Sequence, residues 1–311
     1  MLRWLDCLEE SEACQAALAA LPGTMRDVHA EPAHLAVYAR HYGWRAWLAH
    51  YRGASSDIVQ PYLLDSNKQL RHVFNFGGPM HSPGITMEDW ALYAVEGAYL
   101  KYKHGVAREY CSYNPMLAQQ RVAGARHVKD VVYMNLGDIE AGLRSNTRRS
   151  IAAAKKRGVI VSRIGPILNR NASSFYSVYA TTMERLGAAE HWRFSSIFFE
   201  QLLGALARNA FFLFAYAGGE IEAACLVLHG HGRAYYHLAG SYMKYPASQA
   251  SALMLLRAAE EARELGCATL HLGGGVSAAP NDGLLQFKSG FSELRAPYYV
   301  YEETMDATQA A

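Results

Sequence analysis

Two short stretches hold the densest chemistry in the sequence. Between Arg144 and Arg163 stand Arg144, Arg148, Arg149, Lys155, Lys156, Arg157 and Arg163, with no acid among them. At helical spacing Leu143, Thr147, Ile151 and Ala154 fall on one face, so a helix here can dock by that stripe and turn its cations outward. A solvated polar face is one reading of those charges. Phosphate contact is the other, because like charges at this density repel unless an anion relieves them. The second stretch, Asn281 to Phe291, sets Lys288 between Phe287 and Phe291, soon after Gly273-Gly274-Gly275. A lysine there can bring positive charge to a developing oxyanion. Equally, it can snorkel to the surface over two core aromatics.

Other signatures are weaker. Gly273 to Ala278 fits G-x-G-x-x-[GA], but Pro280-Asn281-Asp282-Gly283 breaks the chain where a dinucleotide-binding helix would begin. A close-approach loop is the expectation. His229-Gly230-His231-Gly232 reads as a hairpin turn before a metal site, since no carboxylate stands at ligand spacing. No nucleophile elbow and no P-loop occur in the sequence. The cysteines Cys7, Cys14, Cys111, Cys225 and Cys267 are odd in number, scattered and free of any C-x-x-C pair. That argues against a disulfide framework or zinc knuckle and fits a reducing cytoplasm. Neither a metal nor a cofactor is expected.

The elements that must position these residues follow from the apolar pattern. The 311 residues, 51% apolar and 19% charged with net charge +2, suffice for a sizeable core. A polyanion would therefore meet a local patch, not the whole surface. No run reaches the ~18 apolar residues of a membrane span, and the N-terminus carries acids where a signal peptide needs an apolar core. Helices are expected over Leu2–Leu21, His34–Tyr42, Met87–His104, from about Asp138 to Arg157, through Ser173–Ala207 with a break near Gly187, and over Ala247–Leu265. Strands are expected at Ala46–Tyr51, Ile58–Leu64, His72–Phe76, Val131–Leu136, Val159–Arg163, in a meander from Phe211 to Leu238, at Thr269–Leu272 and near Tyr298–Tyr301. Three antiparallel strands, a helix and a further strand make an α+β sheet.

The sequence over roughly residues 35–302 resembles the Fem family of aminoacyl-tRNA-dependent amino-acid transferases. The likeness rests on Asn146 to Gly158, on Thr181-Thr182-Met183-Glu184-Arg185, on Leu272-Gly273-Gly274-Gly275, on Phe287-Lys288-x-x-Phe291, and on Phe76-Gly77-Gly78-Pro79. It implies two GNAT-like domains, placed at 1–140 and 141–311, with mixed, mainly antiparallel sheets flanked by helices. It also implies that Lys288, with Phe287 beside it, stabilises the tetrahedral species formed when an amine attacks an aminoacyl ester, and that Arg185 helps hold the acceptor. Tyr236 and Ser241 are assigned to the acceptor with it, and Arg148, Arg149, Lys155, Lys156 and Arg157 to the tRNA.

The expected function is amide formation between the aminoacyl group and an acceptor amine, on a peptidoglycan precursor or on a peptidyl natural product such as a peptidyl-nucleoside antibiotic. An acyl-CoA N-acyltransferase of the same fold is the alternative. CoA enzymes of this fold use a glycine-rich turn to cradle pyrophosphate. Here that place, Gly240 to Gln249, has no such glycines, while Tyr235, Tyr236, Tyr242 and Tyr245 stand close to it. Those tyrosines can line a slot for a stacked base or serve as ordinary packing.

Overall fold

The computed structural model describes residues 1–305 except 55, 73–75, 166–168, 278 and 280. The chain forms two compact units, Met1–Lys129 with Pro297–Ala311, and Asp130–Ala296. The first contains β1 (Leu2–Asp6), α1 (Ser11–Ala19), α2 (Pro32–Tyr42), β2 (Arg45–Arg52), β3 (Asp57–Leu64), β4 (Gln69–Arg71), β5 (Met80–His81), α3 (Met87–Lys103) and β6 (Arg108–Ser112). The second contains β7 (Arg126–Asn135), α4 (Ser145–Lys156), β8 (Ile160–Ile164), α5 (Asn169–Arg185), α6 (Ser196–Ala205), β9 (Ala210–Ala217), β10 (Glu220–Gly230), β11 (Arg233–Ser241), α7 (Ala250–Glu264), β12 (Thr269–Gly273) and α8 (Gly283–Ser289). β13 (Arg295–Thr304) then pairs with β6 of the first unit. Both units are α+β, with mixed and mainly antiparallel sheets.

In the first unit the strands run in the order β1-β2-β3-β4-β6-β13, with β5 on β3. A single helix over Leu2–Leu21 does not form. Leu2–Asp6 instead pairs antiparallel with β2, and only Ser11–Ala19 is helical. The ladder and an aromatic stack, Trp4 against Trp47 at 4.9 Å and Tyr62 at 5.6 Å, outweigh the local helical pattern. Asp6 then turns the chain by accepting the N–H of Leu8 and of Glu9. Most of the expected strand His72–Phe76 lies outside the described residues. The Gly77-Gly78 turn is held by Gly77 N–H donating to Ser112 O and by Gln119 Nε2 donating to Gly77 O. Beneath it Asp27 accepts from the His29 ring at 2.7 Å and from Asn114 Nδ2 at 2.9 Å. Burial and the neighbouring His29 hold the His34 imidazole neutral, its pKa lowered to about 3.

In the second unit the order is β7-β12-β11-β10-β9-β8. β9 is a continuous apolar run because both of its faces are covered. Phe211, Leu213 and Ala215 enter the core shared with α4 and α7, while Phe212 stacks on Phe175 of α5 at 4.6 Å. The expected turn forms at His231-Gly232, with φ of 52° and 77°, the doubly positive geometry that suits a two-residue hairpin. α4 begins later than expected, because Asn135 and Asp138 side chains bond the N–H groups of Gly137 and Ala141 and hold that stretch as turns. Its apolar face is the expected one, with Leu143, Ile151 and Ala154 buried and Thr147 half-buried.

α5 crosses β11 at Gly240. A Cβ there would stand 2.6 Å from Thr182 Oγ1 and 2.9 Å from Val178 O, a backbone atom that cannot swing away. Gly240→Ala should therefore cost about 1–3 kcal/mol. Gly204 of α6 meets nothing within 4 Å, so Gly204→Ala should add about 0.4–1 kcal/mol by stiffening the unfolded chain. Thermal melts of the two variants should shift in opposite directions.

Candidate active site

In the second unit two neighbouring strands of the sheet stop pairing before they end. β11 and β12 run parallel and pair over Arg233↔Thr269, Ala234↔Leu270 and Tyr235↔His271, where the ladder ends although both strands continue. Two bulges lie at that level. On β11 Leu226 faces Leu238 while Val227 faces Tyr236, so His237 is the extra residue. On β12 His271 faces Tyr133 while Gly273 faces Val132, so Leu272 is extra. Bulges bend strands and end pairing. Past them each strand offers main-chain groups that no neighbouring strand of this pair takes up.

Lys288 is delivered to this opening. It sits in the last turn of α8, is 9% exposed, and donates from Nζ to Gly274 O at 2.8 Å. Nζ lies 3.2 Å from where a Cβ of Gly273 would be, and His271 Cε1 lies 3.9 Å from the same point. Gly273, at φ +82°, thus keeps clear the space between an ammonium and an imidazole. Phe287 is half-buried against the α4–α7 core and meets Phe291 edge-on at 5.4 Å. The aromatics pack as core, while the lysine head stays buried at the strand ends and does not reach the surface. The close-approach loop is also real, although Ala278 of the glycine pattern lies outside the described residues.

The start of α8 is fixed by Asp282. Its carboxylate accepts from Leu285 N and Ser277 N, each at 2.9 Å, and from Ser277 Oγ at 3.1 Å. Those backbone donors hold the Asp282 carboxyl at a pKa of about 2. Asp282 and His271 were not singled out in the sequence. The signal for Asp282 was the Asn281-Asp282-Gly283 run before a short apolar helix. For His271 it was the alternation Thr269, His271, Gly273 along β12.

The cations of Arg144–Arg163 divide by what surrounds them. Arg163 pairs with Glu261 of α7 at 3.0 Å and lies over the Phe211 ring, and Arg257 takes the other oxygen of Glu261 at 2.6 Å. Arg144 reaches Glu293 at 3.5 Å. Arg148 donates to the carbonyls of Leu143 and Glu140, at 3.0 and 2.6 Å, and ties down the loop before α4. Arg149 bonds Asn146. Lys155, Lys156 and Arg157 are exposed at the C-terminal end of α4, where cations also suit the helix dipole.

Arg185 and Ser241 are brought together, as Arg185 donates to Ser241 O at 3.2 Å while Thr182 Oγ1 bonds both Ser241 N and O. They lie four residues beyond His237 along β11, on the order of 13 Å from the level of Gly273. Tyr236 packs toward α7, its hydroxyl enclosed and its pKa raised by burial, and no bond links it to Arg185 or Ser241 among the described residues. Tyr235 is core, lying 5.7 Å from the His271 ring. Tyr242 and Tyr245 reach the surface near the turn, with Tyr242 donating to Ser177 Oγ. At the start of α7 the Ser248 hydroxyl accepts from Ala250 N, and Gln249 O accepts from Ala252 N.

Residues 141–288 match the model of the acetyltransferase (GNAT) domain. Over those residues the second unit is similar to an acetyltransferase domain of the GNAT type. FemX superposes with a TM-score of 0.69 at 11% identity, over 93% of this chain and 95% of that one. L-PGS from Bacillus licheniformis gives 0.62 at 15%, over 93% and 91%. A tandem GNAT protein from the clavulanic acid biosynthesis pathway gives 0.54 at 13%, over 98% and 100%. At these identities the likeness establishes the fold, which is that of tandem GNAT-like proteins. No curated protein matches the chain in sequence. No helix among the described residues is long and apolar enough to cross a membrane.

Asp282 provides a pH test of how α8 is held. Its folded pKa, about 2, lies below its ordinary value of 3.8. The stabilisation is therefore present above about pH 4 and is lost as pH falls through 2. Asp282→Asn should melt below the parent at pH 6, and the gap should close at pH 2. A gap that persists at pH 2 would mean the carboxylate charge is not what caps α8.

Proposed function

We propose that this protein transfers the aminoacyl group of an aminoacyl-tRNA to an acceptor amine, forming an amide. The acceptor is a peptidoglycan precursor or a peptidyl natural product such as a peptidyl-nucleoside antibiotic. The observation that carries this reading is Lys288 Nζ anchored on Gly274 O beside the parted ends of β11 and β12. The reaction asks for little else. The amine nitrogen attacks the ester carbon, the carbonyl electrons move onto oxygen, and the ribose oxygen leaves as a hydroxyl while the amine gives up a proton. An ammonium carries three donors, so a bond to Gly274 O does not preclude donation to that oxyanion. Positioning and charge stabilisation then suffice without a covalent enzyme intermediate.

Arg185 and Ser241 make a polar station further along β11 for a distal part of the acceptor, while Tyr236, before the bulge, holds β11 against the core. Arg149, Lys155, Lys156 and Arg157 are the cations that would meet the tRNA backbone, and Arg148 orders the loop before them. An acyl-CoA N-acyltransferase is the second reading, favoured by the acetyltransferase match over residues 141–288. Against it stand the absence of glycines in the turn before α7 and the bonds that Ser248 and Gln249 already make to first-turn N–H groups.

The test is an amide-forming assay with charged tRNAs and candidate amines, run in parallel with acyl-CoAs. Lys288→Ala should lower turnover by about 10²–10³ with tRNA donors, and near-normal turnover would remove the catalytic role. Neutralising Lys155, Lys156 and Arg157 together should weaken tRNA binding alike across sequences and flatten the salt dependence by nearly one unit of slope per lost phosphate contact. An unchanged slope would return these side chains to the solvated surface.

A further inference from the structure

In α3 the usual polarity of a surface helix is inverted. Between its two ends the charged residues turn inward: Glu96 accepts the Leu2 N–H, and Lys101 pairs with Glu109 and, at 3.7 Å, with Glu303. Trp90, Tyr93 and Leu100 pack on the core of β2 and β3. Outward, every exposed position between Glu88 and Lys103 is an alanine, Leu92, Val95, Tyr99 or Tyr102. Val95, Tyr99 and Tyr102 are 69%, 64% and 62% exposed. Surface helices ordinarily put charge on this side, and a contiguous apolar face marks an interaction surface.

We propose that this face binds a second copy of the chain, with two α3 helices packed antiparallel about a two-fold axis at Val95. The face is self-complementary in that arrangement. A two-fold between residues 95 and 96 sets Leu92 against Tyr99 of the other copy, and Val95 near its own equivalent. The same axis brings exposed Glu88 opposite exposed Lys103 at both ends of the contact. One interface thus pairs two acids with two bases, as an isologous contact requires. The alanines at 91, 94 and 98 let the backbones approach. One helix pair buries an area near the lower end for specific interfaces, roughly 1,200 Å², so association should depend on concentration.

Sedimentation velocity of the full chain, from about 1 to about 200 µM, measures it directly. The mass should rise from 34.4 kDa toward twice that value. Val95→Glu sets two carboxylates face to face and should hold the chain monomeric throughout, with an unchanged melting curve because the site is exposed. Glu88→Lys and Lys103→Glu should each weaken association about tenfold, and the double exchange should restore it. A monomer at every concentration overturns the proposal, as does a dimer that survives Val95→Glu or a double exchange that does not rescue. A monomer that instead sediments with lipid vesicles, and loses this with Val95→Glu, assigns the face to a membrane surface and equally overturns it.

Discussion

The separation of β11 from β12 is the constraint on which the rest of the second unit depends. A parallel pair would ordinarily continue to the ends of both strands, and here it stops after Tyr235↔His271. Bulges at His237 and Leu272 bend the two strands at the same level. α7 follows β11 and α8 follows β12, so the opening is bordered by one helix start and one short helix. Lys288 can reach the opening because Gly273 has no side chain and because Asp282 fixes where α8 begins. Gly240 serves the same end from the other side, letting α5 lie close enough to hold β11 in its bent course.

The electrostatics show how sequence density and surface density differ. Seven cations in one segment look like a single patch. Folding sends Arg163 to a buried carboxylate, Arg148 to two carbonyls and Arg144 toward Glu293. Glu261 is 4% exposed and is met by two arginines, so its role is to lock α7 against β8 and its cost of burial is offset by those partners. Lys155, Lys156 and Arg157 stay exposed together at the end of α4, a local patch on a chain whose net charge is only +2.

Much of this was legible in the sequence where one periodicity dominated. The hairpins of β9 to β11, the helix α7 and the docking stripe of α4 follow from apolar spacing, and the positive-φ turn at His231-Gly232 from its glycine. The motif around Lys288 was legible as a motif, but not its partner. Nothing local says that Gly274 O accepts from Nζ, or that His271 lies across Gly273 from it, because those contacts depend on two bulges. Bulges are set by pairing between distant strands and leave little trace in either strand. The same physics hid β1, whose helical pattern yields to a ladder and an aromatic stack contributed by β2 and β3.

The donor that fits the opening is the central question, and ligand-dependent melting of the unmodified protein answers it most directly. A ligand at a hundredfold its Kd adds roughly 2.7 kcal/mol, a shift of several degrees for a chain of this size. A non-hydrolysable aminoacyl-adenosine analogue should raise the melting temperature, and CoA at millimolar concentration should leave it unchanged. Protection by CoA with none from the analogue would contradict the aminoacyl-ester reading and leave an acyl-CoA enzyme on the same fold.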